Sequence, residues 1–418
     1  MMNRVSTNVN RANPAAIILG MGIKGLGIAR FFGRRLFPVY SVASNDNGNF
    51  FWKSRYLREV WRHEPEAGSI VDTLLTHVGQ FDEPPVLFPT TDALVQELAA
   101  RRLDVSRHCR VRLPENALIT EAMSKRGFAQ LAAKMNMTAP RTFVISEEGH
   151  LQKVAGEIQY PCVIKPDFQT PDQSPKVALK VGKVRDAAEL TQAYRALCPS
   201  MPVAVVQEWI PGGDSDVLFC LQYYGSHKVP NVSFCGQKTR QWPPLGGNTA
   251  SCKPLDHPQM EKLTTDFFAQ LGIEGLCSME FKRDPRDGTL FMVEPTIGRT
   301  DVQSAVADIN GVPIPYIAYC DQAGLALPRV CKRNRPVTWV RWSADRASAK
   351  HYRRCGELNL LEDLWSLRPP MRTAVWSLRD PAPSWESLRS RLIRKARRLL
   401  HVLSLRPRRV DEPTEPVA

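Results

Sequence analysis

The sequence predicts an α/β domain followed by an α+β domain, with a basic helical extension at the end of the chain. Three observations carry that expectation. Short strand and helix patterns alternate over residues 14–115, the signature of βαβ units on a parallel sheet. From 116 to 330 apolar strand runs and helices mix without simple alternation. Residues 329–418 hold 21 Lys/Arg against nine Asp/Glu, so the net charge of +14 belongs mostly to that end. A polar tail, 1–13, precedes the first domain, and residues 331–418 form the extension.

The first domain opens on "IILGMGIKGLGIAR" (Ile17 to Arg30), which places Gly20, Gly22 and Gly25 between a strand and a helix. That G-x-G-x-x-G pattern lets backbone approach a pyrophosphate at a helix N-terminus, the dinucleotide fingerprint, but any tight βα turn also favours glycine. The nicotinamide reading needs an acid about 20 residues on, closing the second strand. The strand "FPVYSVAS" closes instead on Ser44 and Asn45, with Asp46 just beyond. A helix over "SIVDTLLTHVGQF", the short buried strand of "PPVLFPTTD" and the helix "ALVQELAARRL" complete the domain. Thr91 and Asp92 lie at the sheet mouth, where open α/β sheets bind ligands.

Composition narrows the class. The first residues lack the apolar run of a signal peptide, and no window approaches 18 apolar residues, so a cytoplasmic protein is expected. Ten scattered cysteines without a C-x-x-C argue against zinc and for a reducing compartment. Nucleic acid is not an expected partner, because the basic charge is confined to one end.

The second domain carries the chemistry. "LPENALITEAMSKRGFAQLAAKMNMTAP" reads as a helix bearing Lys125. "YPCVIKPDF" ends a buried strand on Lys165, whose ammonium needs an anionic partner there. "VVQEWIPGGDSD" runs Gln207, Glu208, Trp209 and Ile210 into a Gly-Gly turn followed by Asp214 and Asp216. Backbone groups at that strand end can read a purine edge, and the aspartates can hold ribose hydroxyls. "CSMEFKRDPRDGTLFMVEPTIGR" reads as a hairpin whose two strands each carry one glutamate, Glu280 and Glu294. Adjacent carboxylates repel unless a cation bridges them, and Mg²⁺ with phosphates completing its shell meets that need.

In this order, "GLGIAR", "VLFPTTDALV", "MSKRGF", "VIKP", "QEWIPGGDSD", "GQKTRQWPP", "MEFKRDPRDG" and "EPTIGRTD" resemble the ATP-grasp superfamily. Within it, the chain resembles the carboxylate–amine ligases that include D-aspartate ligase and relatives encoded with surface-polysaccharide genes. The resemblance covers roughly 14–330. It implies that 14–115 is a Rossmann-like pre-ATP-grasp domain rather than a nicotinamide site, and that 116–330 is the ATP-grasp domain. It implies ATP and Mg²⁺ as cofactors, with small-molecule carboxylate and amine substrates joined through an acyl phosphate. By the same resemblance Lys125 and Lys165 contact phosphates, and Gln207, Glu208, Trp209 and Ile210 line the adenine hinge. Asp216 takes the ribose and Glu280, Glu294 and Thr296 the metal. Lys238, Arg240 and Arg299 reach the transferred phosphoryl group or the carboxylate. Two departures stand out. "DFQTPDQSPK" has no glycine where relatives have a glycine-rich phosphate loop, leaving Lys176 or Lys180 to that task. Glu294-Pro-Thr296 replaces the usual Glu-x-Asn. The alternatives are a degenerate protein that binds nucleotide without turnover and a nicotinamide-dependent oxidoreductase.

"SWESLRSRLIRKARRLLHVL" (Ser384 to Leu403) sets Trp385, Leu388, Leu392, Ala396, Leu399 and Leu403 on one helical stripe, with arginines on the other faces. Such a helix lies on an anionic membrane surface, where a lipid-linked glycan would be at hand, or docks on the body by the same stripe.

Overall fold

The computed structural model describes residues 13–44, 50–64, 66, 68–167, 183–197, 203–367, 370–390 and 392–393. The first unit comprises β1 (Ala16–Leu19), α1 (Ile23–Gly33), β2 (Val39–Ser44), β3 (Glu59–His63), α2 (Ile70–His77), β4 (Val86–Pro89), α3 (Asp92–Ala100) and α4 (Arg102–Ser106). Its four strands form a parallel sheet in the order β3-β2-β1-β4. β1 is buried along its whole length, as its unbroken apolar run requires. The opening glycines serve packing. Gly20 has φ +82°, and a Cβ there would lie 2.6 Å from Thr90 Oγ1. A Cβ on Gly25 would lie 2.9 Å from the Gly20 carbonyl. Asp46 lies outside the described residues.

The predicted helix of 113–140 is two helices, α5 (Asn116–Met123) and α6 (Lys125–Lys134). Ser124 breaks it: its backbone is extended, and its hydroxyl accepts from Gly127 N at 2.8 Å, an N-cap. Next come β5 (Thr142–Ile145), α7 (Glu148–Glu157), β6 (Cys162–Pro166), α8 (Ala187–Leu197) and β7 (Ala204–Glu208). They form a small antiparallel sheet, β5-β7-β6, with a core of its own around Ile145, Leu151, Ile164, Leu190 and Val206.

The remaining elements are β8 (Val217–Tyr224), β9 (Val232–Trp242), β10 (Asn248–Pro254), α9 (Pro258–Leu271), β11 (Gly275–Arg283), β12 (Leu290–Ile297), α10 (Ser304–Ile309), α11 (Ile314–Ala323), β13 (Thr338–Val340), α12 (Trp342–Arg354), α13 (Leu360–Ser366) and β14 (Met371–Thr373). They build a seven-stranded sheet in the order β12-β11-β8-β9-β10-β13-β14, antiparallel except for β13-β14. One apolar cluster joins this sheet to α1 and β1, through Phe32, Phe88, Phe219 and Tyr319.

The basic C-terminal stretch is more than a helix. β13 pairs with β10, so the stretch extends the large sheet. Asp380, fully buried, pins it to the first unit. Asp380 accepts from Arg30 Nε at 2.8 Å, Ser54 Oγ at 2.8 Å and Arg55 N at 3.0 Å. Residues 382–390 are helical, with Ser384 and Ser387 buried and Trp385, 64 % exposed, facing out alongside Leu388 and Leu392. The described part of this helix therefore does not dock by its apolar stripe. Ala396, Leu399 and Leu403 lie outside the described residues.

Candidate functional site

A cleft of about 670 Å³ opens between the small sheet and the seven-stranded sheet, with the N-terminus of α1 and the start of α3 at one end. The first wall is β6, β7 and the turn after β7. Lys165, next to last in β6 and half-buried, donates to Gln207 Oε1 at 3.2 Å. Burial depresses its ammonium pKa, opposed by the charge of Glu294. Gln207 is itself oriented by Thr142 Oγ1 at 3.1 Å, so its side chain positions the lysine. Glu208, Trp209 and Ile210 follow along the cleft. Lys125, first residue of α6, donates to the Asp167 carbonyl at 3.3 Å.

The opposite wall is β8, β9, β11 and β12. Phe219 and Leu221 give this wall its apolar lining, as Val163 and Ile210 do on the first wall. Glu280 and Glu294 are directly opposed in the β11–β12 pairing, and a bulge follows at once, with Phe281 paired to Met292. Lys238, 3 % exposed, lies 2.6 Å from Glu280 Oε2 and donates to Gln241 Oε1 at 3.0 Å. Thr296 lines the same wall. Two carboxylates and a hydroxyl are hard oxygen donors, the set Mg²⁺ takes when phosphates and water fill its other positions. Among the described residues no three His, Cys, Asp or Glu side chains cluster as a complete protein cage. The donor set thus fits a cation held jointly with a ligand.

The third side is ionic. Arg299 clamps Asp92 with Nε to Oδ1 at 2.5 Å and Nη2 to Oδ2 at 3.1 Å. Thr91 caps α3 through Leu94 N, which frees the Asp92 carboxylate for that clamp. Lys24 stands 3.5 Å from Asp301. Burial lowers the Lys24 pKa against the pull of Asp301. Burial would raise the Asp301 carboxyl, but Lys24 and Arg299 outweigh it and hold it below the usual range. Neither Lys24 nor Asp301 was singled out from the sequence, although Lys24 sits inside the glycine fingerprint that opens the chain.

Three expected site residues do not line the cleft. Strand alternation sets Lys238 and Arg240 on one face, but two successive register shifts between β9 and β10 break the alternation there. They bring Lys238 and Gln241 to the cleft and turn Arg240 away. Arg240 instead donates to Asp345 of α12 at 2.8 and 3.0 Å and to Ser366 Oγ at 2.8 Å. Asp216 accepts from Gly213 N at 3.0 Å and from Arg283 Nη2 at 2.8 Å, closing its own turn. Asp214 is likewise engaged, by Gln241 N at 2.8 Å and Leu245 N at 3.0 Å. Lys176 and Lys180 lie outside the described residues.

No protein-family model matches the chain. Among solved structures it is similar to an ADP complex of PurK, N5-carboxyaminoimidazole ribonucleotide synthetase, with TM-score 0.60 and 12% identity, over 78% of this chain and 81% of that one. A biotin carboxylase–β-γ-ATP complex from Campylobacter jejuni matches with TM-score 0.59 and 14% identity, over 75% and 72% of the two chains. An L-amino acid ligase from Bacillus licheniformis matches with TM-score 0.57 and 14% identity, over 75% of each. At such identities the likeness is one of fold: a mixed α/β chain of ATP-grasp architecture.

Proposed function

We propose that this protein is an ATP-dependent carboxylate–amine ligase. The observation that carries the reading is the cleft between two sheets, with Lys165 on one wall and the opposed pair Glu280 and Glu294 on the other. The neighbours named above with ADP or a nucleotide analogue support a nucleotide in that place. In this reading the purine lies between Val163 and Ile210 on one side and Phe219 and Leu221 on the other, along the turn from Gln207 to Ile210. Lys125, Lys165 and Lys238 receive the phosphates. Arg299 and Lys24 hold the carboxylate to be activated.

Glu280, Glu294 and Thr296 would hold Mg²⁺, which supplies charge neutralisation on the phosphates when bound. The residues then do three things: they align the carboxylate with the γ-phosphorus, offset the charge that develops, and exclude water. A carboxylate oxygen bonds to the γ-phosphorus as the bridging bond to ADP breaks. The amine nitrogen next bonds to the acyl carbon, phosphate leaves with the C–O electron pair, and the amine gives up a proton.

The test is ADP formation from Mg-ATP with pooled amino acids and cell-extract acceptors, beside Glu280→Gln. Amino-acid-dependent ADP and phosphate, absent in the variant, uphold the ligase. ATP binding without turnover under every acceptor supports the degenerate alternative.

Contact with an anionic membrane surface, where a lipid-linked glycan acceptor would be at hand, is a second reading, favoured by the outward stripe of Trp385, Leu388 and Leu392 in an arginine-rich segment. Among the described residues no helix is long and apolar enough to cross a membrane, so contact would be at the surface. Co-sedimentation with vesicles of phosphatidylglycerol at low salt tests it. Trp385→Ser with Leu388→Ser should weaken binding several-fold, and indifference of the parent protein to such vesicles contradicts it.

A further inference from the structure

A second cavity, of about 990 Å³, lies between α1, α10 and the stretch from Arg333 to Arg379. It shares Lys24, Asp301 and Val302 with the cleft, so the two volumes meet at the head of α1. Its lining is strongly cationic. Its two acids are already matched, Asp301 by Lys24 at 3.5 Å and Asp308 by Arg35 at 3.2 Å. Arg30 is saturated by Asp380 and by the carbonyls of Ala374 and Val375. Arg34, Arg333, Arg335, Arg372 and Arg379 remain, exposed around the cavity, and form no ion pair among the described residues. Five guanidinium groups without an ion pair around one concavity, with Asp308 a more distant counter-charge for Arg34 and Arg333, focus positive potential and offer planar, bidentate donors to carboxylate or phosphate. Trp339 and Phe31 give the cavity an apolar wall.

We propose that this cavity seats the anionic part of the ligase substrate, a small polyanion whose carboxylates or phosphates meet Arg34, Arg333, Arg335 and Arg379. The inference rests on the ligase reading and deepens it: the reacting end of the substrate passes Lys24 into the cleft, while its charged end stays among the arginines. The C-terminal stretch, anchored through Asp380, thereby supplies half of a substrate site.

Calorimetric titration of the full chain with citrate at low salt tests this, on the parent protein, the exposed double variant Arg333→Glu/Arg335→Glu, and Lys165→Gln. Binding that falls at least tenfold in the arginine variant and is unchanged in Lys165→Gln is expected. Absence of citrate binding overturns the proposal, and so does binding lost in Lys165→Gln but kept in the arginine variant. Parallel Mg-ATP titrations separate the two readings. Failure of Mg-ATP to bind while the citrate pattern holds removes the ligase and leaves the anion cavity standing. Mg-ATP binding without citrate binding removes only the cavity.

Discussion

Two charge clusters sit on opposite faces of β9, one buried around Arg240, Asp345 and Asp363 and one open to the cleft, and they differ in kind. Behind the strand, Asp345 is fully buried and accepts from Arg240 through two nitrogens, from Ser251 Oγ at 2.7 Å and from Arg346 Nη2 at 3.0 Å. Asp363 completes the set with Arg346 Nη2 at 2.7 Å. Every charge there has a fixed partner on another element. In front of the strand, Lys24, Lys125, Lys165, Lys238 and Arg299 share one cleft with Glu280, Glu294, Asp92 and Asp301. Lys165 has only an amide oxygen for a partner, and its pKa is depressed. The rear cluster is complete without a ligand. The front one has cationic capacity left for anions, which is the physical mark of a binding site.

The largest expected effect breaks the complete cluster. Asp345→Ala takes from buried Arg240 its two-nitrogen carboxylate partner, leaving Asp363 at 3.5 Å as the remaining counter-charge, and should cost about 3 kcal/mol of stability, read as a lowered urea midpoint. Mg-ATP affinity of the protein that remains folded should hold. Second, Lys165→Gln should lower kcat about 10²–10³-fold while leaving the melting temperature equal or higher. Its folded pKa lies below the ordinary lysine value, so at pH below that ordinary value the lysine costs folding energy, and a neutral side chain removes that cost.

Third, phosphates facing Lys165 favour its charged form and raise the depressed pKa, so Mg-ATP binding should take up protons. Affinity should then fall as pH climbs from that depressed value to the ordinary one, and calorimetry in buffers of different ionisation enthalpy reads the uptake directly. Smallest, Trp385→Ser should change stability by no more than about 0.5 kcal/mol, because its indole faces outward.

Much of the front cluster was legible because local sequence sets it. The apolar run of Cys162 to Ile164 places Lys165 at a strand end, and the turn between β11 and β12 fixes which glutamates face each other. The resemblance implied a cleft role for Arg240, but the bulge that turns it away depends on how β9 pairs with β10, which no local pattern shows. β3 escaped notice because it is an edge strand whose Glu59 and Arg62 face solvent, which leaves too few apolar residues to register. Lys24 was hidden in a glycine pattern that suggested a different ligand, and Asp301 joins it only through tertiary packing. The partners of Arg240 and Arg30 lie more than 100 residues away, beyond any local pattern.

On the proposed function, the front cluster is completed by a Mg-nucleotide. The most direct measurement is calorimetric titration of the full chain with ATP, with and without Mg²⁺, on the parent protein and on Glu280→Gln. Saturable binding that strengthens with Mg²⁺ in the parent and loses that dependence in Glu280→Gln is the predicted result. Binding that ignores Mg²⁺ in both, or no binding in either, contradicts the account.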